Sequence, residues 1–271
     1  MRRTIPLLAV FTAVSASAPA VVWRNDIDDA DVLAFGNTSQ FIGVGELVDA
    51  GGTGTYIGRG NGFGWVLTAN HVLTNGETSA FRLPGLGTWQ LNNTYRIPGT
   101  DVSIARLVNF NLDIFAPQLN TAPIDAGALF VSAGFGLSRE ESLDDYNDDG
   151  RRRGYQSRLT GIETRTSSST GPGTYVIDRF DSPTDPNVQP LEGFGAPGDS
   201  GSMVLSAQGI VGVLSFGDYE KYGAENRHAA LTPAVTQQIF ARTGIVPVPE
   251  PATLAALGVG ALALLRRRKR A

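Results

Sequence analysis

The sequence predicts an all-β fold, turn-rich and organised as a sandwich or barrel, with one short helix near the C-terminus. Three observations carry this reading. Among 271 residues there are 33 glycines and 15 prolines, 42% are hydrophobic and only 18% are charged, a balance that suits many short strands better than a helical bundle. Apolar runs recur at short intervals, several of them rich in β-branched and aromatic residues, with Gly-, Asn- and Pro-rich turns between them. Cysteine is absent, so the fold has no disulfide framework, and neither a thiol nucleophile nor a thiolate metal site is available. Two histidines leave little for a multi-histidine metal site, and no cofactor is expected.

The predicted strands are Phe41–Val48, Gly54–Ile57, Gly64–Thr68, Ile104–Leu107, Leu129–Ala133, Tyr175–Asp181, Ser202–Leu205 and Ile210–Phe216. The helix runs from Pro233 to Thr243. Thr232 caps it, Pro233 opens its first turn, Val235, Ile239 and Phe240 share one side, and Gly244 stops it. No internal repeat is present. The stretch Ala116–Ala126 is the best linker between two lobes, and a chain of this length buries a real core.

The two ends read as addresses. Residues 1–20 begin with Arg2 and Arg3, continue through the apolar run Ile5 to Val14 and finish in small residues, the pattern of a secretory signal with cleavage after Ala20. Residues 247–271 carry Pro249-Glu250-Pro251, a mostly apolar run from Ala252 to Leu265, and a basic cluster over Arg266–Arg270. That run is short for a stable span, which needs about 20 residues, although arginines that snorkel could extend it; the basic end should stay cytoplasmic. Seven basic residues, and no acidic one, sit in residues 1–20 and 251–271. The rest of the chain holds 15 basic residues against 26 acidic ones, and such an acidic body argues against a nucleic-acid partner.

Acyl transfer by a serine needs a base for the hydroxyl proton, a carboxylate to orient that base, and backbone N–H groups for the oxyanion. The sequence offers one candidate for each. His71 ends an apolar strand in TANHVL. Asp101 precedes another in TDVSIARL, where it can accept the imidazole N–H and fix its tautomer. Ser200 lies in GAPGDSGSMVL, where Gly198 and Gly201 let the backbone curl tightly around the hydroxyl and point the Gly198 and Ser200 N–H groups into one anion site. His228, the other histidine, sits in Asn226-Arg227-His228, which reads as a polar turn, exposed or near a substrate channel.

These three blocks, in the order His, Asp, Ser, resemble those of trypsin-like (chymotrypsin-type) serine proteases. SAGFGLS (Ser132–Ser138) and VLSFGD (Val213–Asp218) resemble two further segments of the second lobe. The resemblance spans about residues 40–243. It implies two antiparallel β-barrels with a short C-terminal helix and the site in the cleft between them. The implied protease domain is 21–246, with an N-terminal barrel over about 33–118 and a C-terminal barrel over about 119–246. It also implies a serine endopeptidase with His71, Asp101 and Ser200 as its triad, Gly198 and Ser200 as its oxyanion donors, and a polypeptide substrate. Counting back six residues from Ser200 reaches Phe194, where trypsin itself carries its acidic pocket residue; the resemblance therefore implies a small or apolar preference, with Ser215, Phe216 and Gly217 as the wall along the substrate. The C-terminal tail resembles the PEP-CTERM sorting signal of Gram-negative bacteria. That implies export to the cell surface, matrix or periplasm, an exosortase-type processing enzyme, and transient association with the inner membrane.

Some features depart from the family. Ser202-Met203 follows Gly201 where Gly-Pro is usual, the usual disulfides are absent, and no partner for Asp199 is obvious, although Val21-Val22 would be exposed by signal cleavage. Asp145-Tyr146-Asn147-Asp148-Asp149-Gly150 has calcium-loop spacing, but its twelfth position is Gln156 in place of the expected Glu, which favours a solvated, mobile acidic loop. An α/β-hydrolase is disfavoured because its order is Ser, acid, His and its elbow needs G-x-S-x-G. The non-enzymatic alternative is a cell-surface or matrix binding protein on a protease-like fold.

Overall fold

The β-branched and aromatic runs pair into antiparallel ladders that close on themselves. The structure is a computed structural model that describes residues 21–167 and 171–246; the predicted signal and sorting segments lie outside them. The chain begins with β1 (Val22–Trp23) and helix α1 (Asp29–Gly36). Six strands then close the first barrel: β2 (Val44–Leu47), β3 (Gly52–Gly60), β4 (Phe63–Ala69), β5 (Ala80–Leu83), β6 (Gly87–Arg96) and β7 (Val102–Leu107), in the order β2-β3-β4-β7-β6-β5. After an irregular stretch the chain forms β8 (Leu129–Gly134), β9 (Arg139–Glu140), β10 (Arg153–Ser167), β11 (Gly171–Arg179), β12 (Gly193–Phe194), β13 (Met203–Ser206), β14 (Gly209–Gly217), β15 (Glu225–Ala230) and α2 (Pro233–Thr243). The second barrel closes as β10-β11-β15-β14-β13-β8, and β1 completes a small sheet between β9 and β12. Closure leaves neither barrel with an open edge.

The local chemistry explains these elements. Asn61 (φ 51°) and Gly62 (φ 83°) form the two-residue turn between β3 and β4, which suits residues that tolerate positive φ. The Thr232 hydroxyl accepts the Val235 N–H at 3.4 Å, and Gly244 ends α2 in the left-handed region, its N–H bonded to the Phe240 carbonyl, so this helix matches its sequence expectation. Leu47, Val66, Phe81, Leu91 and Leu107 fill the first barrel. Phe130, Tyr155, Val176, Val204 and Val211 fill the second. A third cluster, including Val44, Leu67, Ile104, Phe135, Met203 and Ile239, joins the two barrels.

Helix α1 and strands β5, β6, β10 and β15 were not expected from sequence. Arg152 explains part of this. It is buried against Phe135 and donates to the carbonyls of Gly36 (2.7 Å), Phe41 (2.7 Å) and Val44 (2.9 Å), so it ties α1 and the entry to the first barrel onto the second. Burial pulls its guanidinium down to about 10. No helix among the described residues is long and apolar enough to cross a membrane; the apolar run Ala252–Leu265 lies outside them.

Candidate active site

Strand register brings His71 and Asp101 together. Strands β4 and β7 are antiparallel with Ala69 opposite Val102, so the residues just past each end, Asn70 with His71 and Asp101, meet. The Asp101 carbonyl accepts the Asn70 N–H at 3.1 Å. Its Oδ1 accepts the His71 backbone N–H at 3.0 Å, and its Oδ2 lies 2.7 Å from His71 Nδ1. The Ser215 hydroxyl donates to the same Oδ2 at 2.5 Å. Asp101 is fully buried, while the His71 side chain keeps 28% of its surface exposed. A carboxylate facing Nδ1 selects the tautomer with its proton there, which leaves Nε2 with the free lone pair. Sequence placed Ser215 only on the substrate wall; its hydroxyl contact with Asp101 was missed, because no motif connects residues 114 positions apart.

Ser200 occupies the turn between β12 and β13. Gly198 (φ 91°) and Gly201 (φ 87°) both need the left-handed region. A Cβ on Gly201 would stand 2.2 Å from the Thr53 carbonyl oxygen and from Thr68 Oγ1, so only glycine fits where this turn presses on the first barrel. The Ser200 carbonyl accepts the Thr53 N–H at 2.9 Å, and the Gly201 N–H donates to the Leu214 carbonyl at 2.8 Å. Gly52 separates Val72 from this turn: a Cβ there would lie 2.4 Å from Val72 Cγ1 and 3.2 Å from the Ser200 carbonyl oxygen. Val72, next to His71, and Ser200 itself thus flank one glycine. Among the described residues no hydrogen bond joins the His71 ring to the Ser200 hydroxyl, and the Gly198 and Ser200 N–H groups donate to no protein acceptor.

Asp199 finds its partners in the backbone. Its Oδ1 accepts the Gly136 N–H at 3.3 Å and its Oδ2 the Ala196 N–H at 3.1 Å. Gly134 makes room for it, since a Cβ there would lie 2.0 Å from Oδ1. The SAGFGLS segment therefore cradles the carboxyl. Burial pushes Asp199 up to about 8, against the downward pull of those N–H groups and of Arg153. Val21 packs instead into the second barrel, and Val22 pairs with Phe194.

A cavity of about 260 Å³ opens beside Ser200, walled by Gly195, Pro197, Leu214, Phe216 and Gly217. Ser215 also lines it. Phe194 is not on its surface: it is fully buried against Phe180 and lies beneath Gly217. Two acids that sequence reading did not single out stand at the rim. Asp218 Oδ1 is 3.3 Å from Arg227 Nη1, and Glu220 accepts the Tyr146 hydroxyl at 2.6 Å. A larger cavity, about 720 Å³, lies between Phe115–Leu119 and Phe240, lined by neither His71 nor Ser200.

Two expectations need correction. His228 is not in a turn: it sits in β15, fully buried, with Nε2 2.5 Å from Asp178 Oδ1 and its ring edge-on to Phe130. Asn226 and His228 both lie beside Asp178, while Arg227 between them pairs with Glu163, Asp218 and Glu225. The acidic loop is exposed but anchored: Asp149 takes two hydrogen bonds from the buried Arg153, at 2.9 and 2.8 Å, which hold its carboxyl below the usual range.

Two closed six-stranded antiparallel barrels, with a His–Asp pair and a Gly-Asp-Ser-Gly turn where they meet, define the chymotrypsin fold class of serine proteases. Residues 52–213, more than half of the chain, match the trypsin-like peptidase domain, and the chain belongs to that family. Residues 247–270 match the PEP-CTERM protein-sorting motif, a mark of exported proteins of Gram-negative bacteria that are processed by an exosortase-type enzyme. No curated protein matches. Similar solved structures include mouse neuropsin, a serine protease (16% identity, 70% of this chain and 88% of that chain, TM-score 0.52). They also include two inactive forms of the Rv3671c protein of M. tuberculosis. One is a serine-to-alanine mutant (15% identity, 86% of this chain and all of that chain, TM-score 0.52). The other is titled a protease (15% identity, 84% and 100%, TM-score 0.52). At these identities the likeness extends to the fold.

Proposed function

We propose that this chain is an exported serine endopeptidase with His71, Asp101 and Ser200 as its catalytic triad. One observation carries the proposal: the buried Asp101 carboxylate is hydrogen-bonded to His71 through both backbone and ring, which leaves Nε2 as the ring nitrogen available to act as a base. In the reaction Ser200 Oγ attacks the scissile carbonyl carbon while His71 Nε2 takes the hydroxyl proton. The carbonyl oxygen becomes an oxyanion held by the Gly198 and Ser200 N–H groups. The tetrahedral centre then collapses, the C–N bond breaks, and His71 gives its proton to the leaving amine. Water, with His71 again as base, hydrolyses the acyl-enzyme and returns the proton to Ser200. Asp101 stays ionised and steadies the imidazolium; Ser215 and the His71 N–H share its charge.

The cavity beside Ser200 suits a small or apolar side chain before the scissile bond, because Leu214 and Phe216 narrow it and Phe194 closes the space beneath. Ser215 to Gly217 form the strand along which the peptide lies. The tail from Pro247 onward is the sorting address, holding the protein transiently at the inner membrane until it is removed. A polypeptide of residues 21–246 should therefore fold and keep full activity; unfolding of that truncated chain would make the tail structural.

The test is direct. A fluorophosphonate should label the wild type at Ser200 and should not label Ser200→Ala, and the wild type should digest unfolded casein into peptides. A folded wild type that is neither labelled nor proteolytic would instead support a non-catalytic cell-surface or matrix binding protein on this fold.

A further inference from the structure

We propose that Thr53, a first-barrel residue, is the positioning residue that holds the Gly198–Asp199 peptide, the backbone link between the two oxyanion N–H groups, in place; the proposal rests on the serine-endopeptidase reading above. Thr53 is fully buried near the start of β3. Its hydroxyl is used twice: it donates to the Gly198 carbonyl at 3.0 Å and accepts the Phe135 N–H at 3.2 Å. A backbone N–H can only donate, so Phe135 fixes the direction of the hydroxyl proton toward Gly198. The Thr53 backbone makes the second grip, its N–H donating to the Ser200 carbonyl at 2.9 Å. Its own carbonyl accepts the Thr68 hydroxyl at 2.8 Å, which steadies the grip from within the first barrel.

The consequence is an orientation. The carbonyls of Gly198 and Ser200, on either side of Asp199, are both drawn toward Thr53. The N–H groups of the same two residues are left without protein acceptors. Glycine at φ 91° has no Cβ to resist rotation of its flanking peptides, so the turn depends on hydrogen bonds for its restraint. The turn supplies some of its own: the Asp199 N–H donates to the Ala196 carbonyl at 3.0 Å and the Ser202 N–H to the Asp199 carbonyl at 2.7 Å. Among the described residues, however, the Gly198 carbonyl has the Thr53 hydroxyl as its sole donor. Thr53 also touches all three parts of the site at once: the nucleophile turn, the Phe135 segment that cradles Asp199, and the barrel that carries His71. No sequence motif marks it.

Thr53→Val keeps the shape and removes the hydroxyl, while Thr53→Ser keeps the hydroxyl and removes a methyl. Labelling by a fluorophosphonate, in which Ser200 Oγ displaces fluoride, separates binding (KI) from bond formation (kinact). The expected result is a fall in kinact of about 10- to 100-fold for Thr53→Val, somewhat less than the loss of a whole oxyanion donor, with KI changed less than about threefold. Thr53→Ser should recover kinact to within about threefold of wild type, given that hydrogen-bond geometry is kept. All measurements are made well below the melting temperature of each variant. Equal kinact in all three proteins, or a loss that Thr53→Ser fails to restore, overturns the proposal. Amide hydrogen exchange over residues 196–203 is read in parallel and needs no activity: Thr53→Val should exchange faster there, and Thr53→Ser should not. Unchanged exchange in Thr53→Val sinks the positioning role by itself. A wild type that resists labelling while Thr53→Val still speeds exchange sinks the endopeptidase reading and leaves the Thr53 restraint standing.

Discussion

Asp178 and His228 form a second histidine–carboxylate pair, 2.5 Å apart and sealed inside the second barrel, with no exposed surface on either side chain. It differs from the His71–Asp101 pair in the one respect that matters for catalysis, since a fully buried ring cannot meet a substrate. The Asn226 side-chain amide also lies 3.5 Å from Asp178 Oδ2, so β11 and β15 share a polar seam inside an otherwise apolar barrel.

The two histidines should therefore fail in different ways. Removing one partner of a buried pair costs about 3–5 kcal/mol, because the other is left uncompensated. His228→Ala should lower the urea midpoint steeply yet retain fluorophosphonate labelling wherever it stays folded. His71→Ala should lose labelling, because serine is a weak nucleophile without its base, and should lower the midpoint less, since Asp101 keeps the backbone N–H at position 71 and the Ser215 hydroxyl as donors. If His71→Ala labels normally and the folded His228→Ala does not, the proposed triad is wrong.

Asp101→Asn tests how the base is oriented. The carboxylate accepts three hydrogen bonds, from the His71 N–H, the His71 ring and Ser215 Oγ. An amide keeps the shape but turns a donor toward one of them and selects the wrong imidazole tautomer. In a well-studied serine protease triad the same change costs about 10⁴ in turnover. A comparable loss is expected here, with circular dichroism and the melting midpoint little altered. Ser215→Ala removes one of the three bonds and should cost far less, on the order of 1 kcal/mol in the barrier. Wild-type turnover in Asp101→Asn would place the orienting acid elsewhere.

What the sequence disclosed, and what it hid, follows from the range of each interaction. The three motif blocks are local: a strand ending in His71, an acid opening a strand, and a serine between two glycines. Local order was enough to name them, and helix α2 was readable from Thr232, Pro233 and Gly244 for the same reason. The missed contacts are long-range. Ser215 meets Asp101 across 114 positions, Thr53 meets Gly198 across 145, and Arg152 meets Gly36 across 116. His228 was misplaced because a buried polar pair looks, residue by residue, like a solvated turn. Strand β10 was missed for a related reason: Arg153–Ser167 carries three more basic or acidic residues beyond its first, at Arg158, Glu163 and Arg165, which obscure its alternation.

The buried carboxyls set a dependence on pH. Burial pushes Asp199 up from 3.8 to about 8 and Glu192 up from 4.5 to about 8. The folded chain thus keeps two protons that the unfolded chain releases once pH passes the ordinary carboxyl range. Relative to the unfolded chain, the contribution of these groups is fully present below their ordinary values, declines as pH rises, and is gone once pH has passed through about 8. Asp149, held low by Arg153, works in the opposite sense and matters only on the acid side. Urea midpoints should therefore fall between about pH 5 and pH 9, and the fall should be shallower in Asp199→Asn and in Glu192→Gln. Asp199 adds a catalytic signature, because its N–H and carbonyl both brace the Ser200 turn. Ionising it in a fully buried site, with only two backbone N–H groups and the field of Arg153 to offset the charge, should loosen that turn, so labelling of Ser200 should weaken above about pH 8 in the wild type while Asp199→Asn shows no such alkaline decline. Midpoints that fall equally in all three proteins would mean that neither carboxyl holds its proton in the folded state.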